Sequence, residues 1–566
     1  MIKRIFSLCL VMLLVLAVAG CGSKTKEAVV PVSEQYEKEV TDETPSEEET
    51  TDAKGNKKKW ETAGGYDVYE SMMNDDAESK GFEINVEKNS IPATLSTKWD
   101  AANSSPVKGG AEAEAIAMRQ KVLSAKNTEE IYGSRITGKK YYISPDGNDN
   151  NNGLSPKTAV KTLNADVIYG IGKLKPGDAL LFERGGVWRM SNRITLREGV
   201  IYGSYGTGEK PTLLGSAKNY ASKEYWTPSK KANIWKCTIP DTDIGLIVFN
   251  HGELVGWKRF NGLTTLENNG DFYYNNNDDT VYLYFDKGNP GKYFKDIEIC
   301  YTKAAFGGGG VDNVVIDNFR IKYYGQGGIY TGSGTDNCTV TNCEIGFVGG
   351  YRHRDTTRAG NAIQQWNSTD KFTVSNNWIY QCYDTGVTFQ GDDRNAPGLD
   401  DDGNTRVGDK AYYRNVIFTD NVIEYCVYGM ELWHGDTGVE CLARLENIDV
   451  SGNVIRQSGY GWSAGQRPDK RGNAFYVAGR KMVNAKNYKI HDNIFDVSKR
   501  ALMYWTFDGT PVSEITISNN TYYQATNPTG EAIWYGASRS ASDQSTLFAA
   551  VTAVDTSPTK IQWLTQ

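Results

Sequence analysis

Seven short segments share one pattern, and that pattern restricts what the chain can fold into. VVIDNFRI, CTVTNCEI, FTVSNNWI, VIFTDNVI, IDVSGNVI, YKIHDNIF and ITISNNTY recur between residues 314 and 522, one copy per 24 to 44 residues. Aligned on their fourth-last residues, they give the column Asn318, Asn342, Asn376, Asp420, Gly452, Asp492, Asn519, followed by Phe319, Cys343, Asn377, Asn421, Asn453, Asn493, Asn520. Fixed columns at variable spacing require coils stacked about 4.8 Å apart, so that Asn side chains can bond up and down the stack at a tight turn. An antiparallel sandwich would need hairpin signals between successive strands and would produce no columns.

A second strand repeats in the same register as GGIYTG, NAIQQW, TGVTFQ, YGMELW, NAFYVA and RALMYW, and Cys382, Cys426 and Ser458 share one position that suits an inward stack of small side chains. Short fixed strands with long insertions indicate a parallel β-solenoid. The pattern resembles that of the right-handed parallel β-helix proteins, the fold of pectate lyases and polygalacturonases. The stretch YYISPDGNDNNNGLSPKTAVKTL resembles the N-terminal entry segment of many secreted members. The resemblance covers roughly residues 139–530 and implies an all-β fold; it does not imply one reaction, because that fold carries lyases, hydrolases, isomerases and non-catalytic adhesins.

The flanks carry different information. MIKRIFSLCLVMLLVLAVAGC has a basic start, a short apolar run and small residues before a cysteine, as in an export signal. Its end resembles a bacterial lipobox, which implies cleavage after residue 20 and a lipid on Cys21. Residues 21–65 are acidic and too poor in apolar side chains to fold, and read as a tether between membrane and body. Residues 66–138 form an N-terminal cap region with one helix, marked by Ala111, Ala115, Met118, Val122 and Ala125. A small β excursion is expected at about 216–300, and residues 531–566 form a C-terminal cap or tail. The expected molecule is an exported, lipid-anchored monomer at the bacterial cell surface.

The net charge of −7 argues against a nucleic-acid surface. Apart from Cys9 and Cys21, the seven cysteines show no zinc-site spacing. The richness in Tyr and Trp points instead to a polysaccharide or oligosaccharide partner.

Alternation along the second strand places Ile329, Ile363, Val387, Met430, Phe475 and Leu502 inside. Tyr330, Gln364, Thr388, Glu431, Tyr476 and Met503 then face outward, followed two residues on by Gly332, Trp366, Gln390, Trp433, Ala478 and Trp505. Trp366, Gln390, Trp433, Tyr476 and Trp505 are the expected sugar-binding strip, unless loops simply cover them as packing. Insertions at 351–359, 392–414, 434–446 and 463–472 would wall this face.

Among the acids, Glu431 lies on the strand and Asp384 just before the neighbouring one, a spacing suited to the carboxylate pair of glycoside hydrolysis. The bland alternatives are a solvated Glu and an Asp that caps a turn. His434 follows Trp433, and Arg352 and Arg354 belong to a basic loop with His353 and Arg358 that could serve a uronate lyase. Asp392 and Asp393 look catalytic but open an insertion. Asp400, Asp401 and Asp402 could chelate Ca²⁺, although a flexible acidic loop is the better reading, and no cofactor is required. The strings RIK and GDD occur in the reverse of the polygalacturonase order, and that family's Gly-His-Gly is absent, so its active site is not carried over. The leading expectation is a glycoside hydrolase using Asp384 and Glu431, with His434 beside them; the alternatives are a polysaccharide lyase and a non-catalytic carbohydrate-binding module.

Overall fold

The computed structural model describes residues 109–566 except 166, 169–172, 191–192, 333, 355–356, 393–411, 436–443, 464–465, 468–471, 479–484, 506–513 and 566. The signal, Cys21, the tether, Asp393, Asp400, Asp401, Asp402 and Cys441 lie outside the described residues. Among the described residues no helix is long and apolar enough to cross a membrane.

The chain winds through three long sheets as a right-handed parallel β-helix. Each turn contributes one strand to sheet I, one to sheet II and one to sheet III, as in Val315–Asp317, Arg320–Lys322 and Gly327–Gly332. The next turn repeats the order with Cys338–Thr341, Glu344–Val348 and Ile363–Trp366, each paired in parallel with its counterpart. Side chains that point into the coil fuse into one apolar core from Tyr141 to Val551.

The corner between sheets I and II explains the sequence columns. Asn318, Asn342, Asn376, Asp420, Gly452, Asp492 and Asn519 all have φ between 52° and 69°. This left-handed conformation is one that Asn, Asp and Gly adopt most readily. The next residue turns its side chain inward. Asn377 Nδ2 donates to Asn421 Oδ1 at 2.9 Å, Asn421 to Asn453 at 2.9 Å, Asn453 to Asn493 at 2.9 Å and Asn493 to Asn520 at 3.0 Å. Asp555 ends the ladder by accepting from Asn520 at 2.9 Å.

The helix Glu112–Leu123 lies along the outer face of sheet II rather than over an end. Ala111, Ala115 and Val122 are buried there, while Met118 is half-buried. Arg119 Nε donates to Glu424 Oε2 at 2.7 Å, a carboxylate that also accepts from Trp378 Nε1 at 3.0 Å and Arg456 Nη1 at 2.9 Å. A second helix, Gln544–Thr552, turns Leu547, Ala550 and Val551 into the main core beside the last strands, Glu531–Tyr535 and Lys560–Trp563. Between Thr212–Leu214 of sheet II and Ala304–Gly309 of sheet III the chain makes an excursion into two small sheets, in which Asp271–Asn275, Thr280–Tyr284 and Ile234–Thr238 pair antiparallel. The described cysteines 237, 300, 338, 343, 382 and 426 are buried thiols.

The ladder is the element to test. Asn453 receives two N–H groups from Asn421 and donates to Phe418 O and Asn493. Asn453→Ala therefore strands several buried groups at once and should cost about 3–5 kcal/mol, several times an ordinary net hydrogen bond. Asn447→Ala, in the exposed ladder where Asn487 and Asn447 each donate at 3.0 Å, strands no buried group but puts Ala at a φ of 55°, and should cost about 1–2 kcal/mol. Urea denaturation of the two variants checks both values.

Candidate active site

Sheet III carries the site because the insertions flank it on both sides. The excursion, the hairpin formed by Tyr351–Arg354 and Thr357–Ala359, and the stretch from Gly459 to Gly472 all leave at the corner between sheets II and III. The insertions at 393–411 and 436–443, outside the described residues, fall between sheets III and I.

Strand Thr385–Asp392 pairs in parallel with Tyr428–Gly435, setting Thr388 opposite Glu431 and Thr385 opposite Tyr428. Glu431 is 8 % exposed. Its Oε2 accepts from Thr388 Oγ1 at 2.8 Å and from Thr385 Oγ1 at 3.2 Å. Asp384 directly precedes Thr385, and its backbone is tied to both flanking rungs, by Asp384 N to Gly360 O and Tyr428 N to Asp384 O. The two carboxyl groups thus belong to neighbouring rungs of one face. Burial pushes the Glu431 carboxyl up to about 7, and the nearby Asp384 charge pushes the same way. The Thr388 hydroxyl, the Arg467 charge and the Thr385 hydroxyl oppose the rise.

Arg467 is the site residue that the sequence did not single out. Its Nη1 pairs with Asp384 Oδ1, and its guanidinium lies 5.2 Å over the Tyr428 ring and 5.9 Å over that of Tyr383. The preceding Gln466 fastens it. Gln466 Oε1 accepts from Arg358 Nη1 at 2.7 Å, and its Nε2 donates to Gly256 O of the excursion at 3.0 Å. Arg358 in turn donates to Gly350 O and Gly245 O and lies 4.5 Å over Tyr383. Excursion, hairpin and loop are therefore bolted together behind the Arg467–Asp384 pair. No repeat places Arg467, because it lies inside an insertion; the only signal was the assignment of 463–472 to a groove wall.

The other expected residues separate by register. Tyr476 faces Glu431 across the next rung and stacks on Tyr428, with centroids 4.6 Å apart and rings 9° from parallel. Trp433 is half-buried against that pair. Trp366, Gln390 and Trp433 align on successive strands as expected, and Gln390 Nε2 donates to Gln364 Oε1 at 2.8 Å. The half-buried Trp366 finds no partner for its indole N–H among the described residues. His434 continues the Glu431 strand opposite Gly391, but its side chain lies outside the description, as does that of Arg354. Arg352 is exposed, and its backbone N–H donates to Asp243 Oδ2.

Trp505 is different, because it points inward. Phe475 pairs with Met503 and Val477 with Trp505, so this rung is shifted by one residue from the alignment of RALMYW. Trp505 is 0 % exposed and packs on Tyr488 and Phe475, Met503 is also core, and Tyr504 takes the outward position. Among the described residues no cluster of three or more His, Cys, Asp or Glu side chains could hold a metal ion.

No protein-family model matches the chain, and no curated protein matches it. Solved structures that resemble it include one titled "Glycoside hydrolase", with 10 % identity over 75 % of this chain and 96 % of that one and a TM-score of 0.40. A xylose complex of XylC has 12 % identity over 70 % and 86 % and a TM-score of 0.36. A family 28 exopolygalacturonase from Yersinia enterocolitica has 11 % identity over 70 % and 69 % and a TM-score of 0.34. The parallel β-helix is read from this chain's own sheets, and the chemistry of this site rests on its own residues.

The raised Glu431 carboxyl has a consequence for stability. The folded protein keeps that proton up to about pH 7, whereas the unfolded carboxyl releases it near its ordinary value of 4.5. The stabilisation is complete below about pH 4.5 and is lost as pH rises through about 7. Melting temperatures between pH 5 and pH 8 should fall more steeply in the parent than in Glu431→Gln.

Proposed function

We propose that this protein hydrolyses a polysaccharide or oligosaccharide, with Glu431 as general acid and Asp384 as the ionised carboxylate. The observation that carries this reading is the placement of the two groups on neighbouring rungs of one walled face, with opposite partners. Glu431 is buried beside an aromatic pair, and burial together with the nearby Asp384 charge favours its protonated form against the two Thr hydroxyls, while Asp384 is ion-paired with Arg467. Environments that drive two carboxyls apart in this way define an acid and a base or nucleophile.

In the proposed reaction, Glu431 gives its proton to the glycosidic oxygen as the bond to the anomeric carbon breaks. Asp384 stabilises the positive charge that develops on the ring until a water adds to the anomeric carbon and gives its proton back to Glu431. Arg467 is a positioning residue: held by the Gln466 and Arg358 contacts, it fixes Asp384 and keeps it charged. Trp433, half-buried against the Tyr428–Tyr476 pair, supplies apolar surface for a sugar face beside the acid.

A glycan panel read for new reducing ends tests the activity. Glu431→Gln should lower kcat about 10²- to 10⁴-fold on natural linkages. On an aryl glycoside, whose leaving group needs no proton, the loss should be much smaller. Asp384→Asn should be inactive on both substrates. Products with unsaturated uronate absorbance would establish the lyase reading instead, and binding without turnover by the parent would establish a binding module.

We further propose export and lipid anchoring through Cys21, supported by the basic, apolar and small-residue order of the first 21 residues. Cys21→Ser should move the expressed protein from the membrane fraction to the soluble fraction.

A further inference from the structure

The outward column of sheet III does not stop at the carboxyl pair. Strand register carries it from Glu431 to Tyr476, Tyr504 and Trp534 on three successive rungs. Ring centroids are 5.4 Å apart between Tyr476 and Tyr504 and 5.0 Å apart between Tyr504 and Trp534. Tyr504 and Trp534 are half-buried, so each keeps open surface while its neighbours fix its orientation.

In the other direction the same column reads Thr388, Gln364 and Tyr330. Here the polar groups bond to one another. Gln364 Oε1 accepts from Asn361 Nδ2 at 2.7 Å and from Gln390 Nε2 at 2.8 Å, and Tyr330 donates to Gln326 O at 2.8 Å. Among the described residues, aromatic rings occupy consecutive rungs of this column only on the C-terminal side of the pair.

Charge narrows what could lie on it. Among the described residues two guanidinium groups reach the aromatic column or the ring stacked on it, and each is already matched by a carboxylate. Arg467 lies over Tyr428 and pairs with Asp384. Arg500 lies 4.4 Å over Tyr504 and 5.7 Å over Trp534, with its Nε 2.5 Å from Glu531 Oε2. A uronate chain would bring one carboxylate per sugar past cations that are already neutralised, and would place it beside Asp384 and Glu531. A neutral sugar carries no such cost, and its C–H face suits a Tyr or Trp ring. Rungs repeat every 4.8 Å or so, close to the length of one pyranose in an extended chain.

We propose that Tyr504 and Trp534, seated against the buried Tyr476, form the binding cleft for an uncharged glycan, which lies along the solenoid axis with successive sugars on successive rungs. The position of the cut relative to this cleft rests on the hydrolytic reading of Glu431; the binding itself does not.

The test uses the full chain carrying Glu431→Gln, with binding followed by calorimetry at low and high salt. The probes are xylohexaose, mannohexaose and hexagalacturonate. At least one neutral hexaose should bind about tenfold or more tighter than hexagalacturonate, with no salt dependence. Tyr504→Leu and Trp534→Leu should each weaken that binding about tenfold, in line with the loss of one stacked ring. Thermal melts identify any variant that is unfolded, and the other then supplies the reading; if both are, the hexagalacturonate comparison decides alone. Preference for hexagalacturonate, salt-sensitive binding, no binding of either neutral probe, or folded variants that bind normally would overturn the proposal. Neutral binding that depends on the column, in a parent that releases no reducing ends, would keep the cleft and remove the hydrolytic reading. Hydrolysis of a charged glycan would do the reverse.

Discussion

The amide ladder at the corner between sheets I and II is the interaction on which the rest of the structure depends. From Asn421 to Asn520 each Asn Oδ1 accepts the backbone N–H and the side-chain N–H of the Asn one rung away, so the turns cannot slip relative to one another without breaking several buried bonds at once. A one-residue slip would turn every strand inside out. Because the ladder fixes one corner, it also fixes which residues share a column on sheet III on the other side of the coil. The alignment of Thr388, Glu431 and Tyr476 is thus a remote effect of Asn421 and Asn453.

The same rigidity sustains strain at the next corner. Tyr323, Phe347, Gln381, Tyr425, Gln457 and Val497 all have φ between 51° and 66° at the turn from sheet II to sheet III. For residues with a Cβ this region costs about 1–2 kcal/mol each, and a β-branched Val is an extreme case. Such residues persist only where their surroundings over-determine them. Here they hold large side chains against the covering wall: Tyr323 and Phe347 belong to the second core with the excursion strands, and Gln381 binds Trp462 through both its side chain and its carbonyl.

This difference between corners decided what could be read in the sequence. Asn and Asp at the first corner are residues that the left-handed conformation selects, so they formed a visible column and disclosed the coil. At the second corner packing overrides preference, and Tyr, Phe, Gln and Val give no signal. Glu431 and Asp384 were legible because they sit on or beside a repeated strand, where counting from Val387 and Met430 fixes the face. The count failed two turns later, because Arg500 and Ala501 occupy the entry to sheet III in a way that shifts Met503 and Trp505 into the core. Arg467 was hidden for the opposite reason: it lies in an insertion, and its place depends on Arg358 and Gly256, which are remote in sequence.

The location of the site also follows from the ladder. From Val315 onward, the passage from sheet I to sheet II is always a single left-handed residue followed at once by the ladder position, which leaves no room for extra chain. Length variation is therefore confined to the two remaining corners, and both border sheet III. The outer face of sheet II is covered by the helix Glu112–Leu123 and the excursion, and sheet I keeps strands with exposed positions such as Ile417 and Lys489. Sheet III is the face that insertions can wall without covering it. A carboxyl as buried as Glu431 is tolerated there because two Thr hydroxyls on the preceding rung accept the same fixed register and meet it. A rigid coil that pins its polar residues in this way can hold a proton on one acid while an arginine from a distant loop neutralises the other.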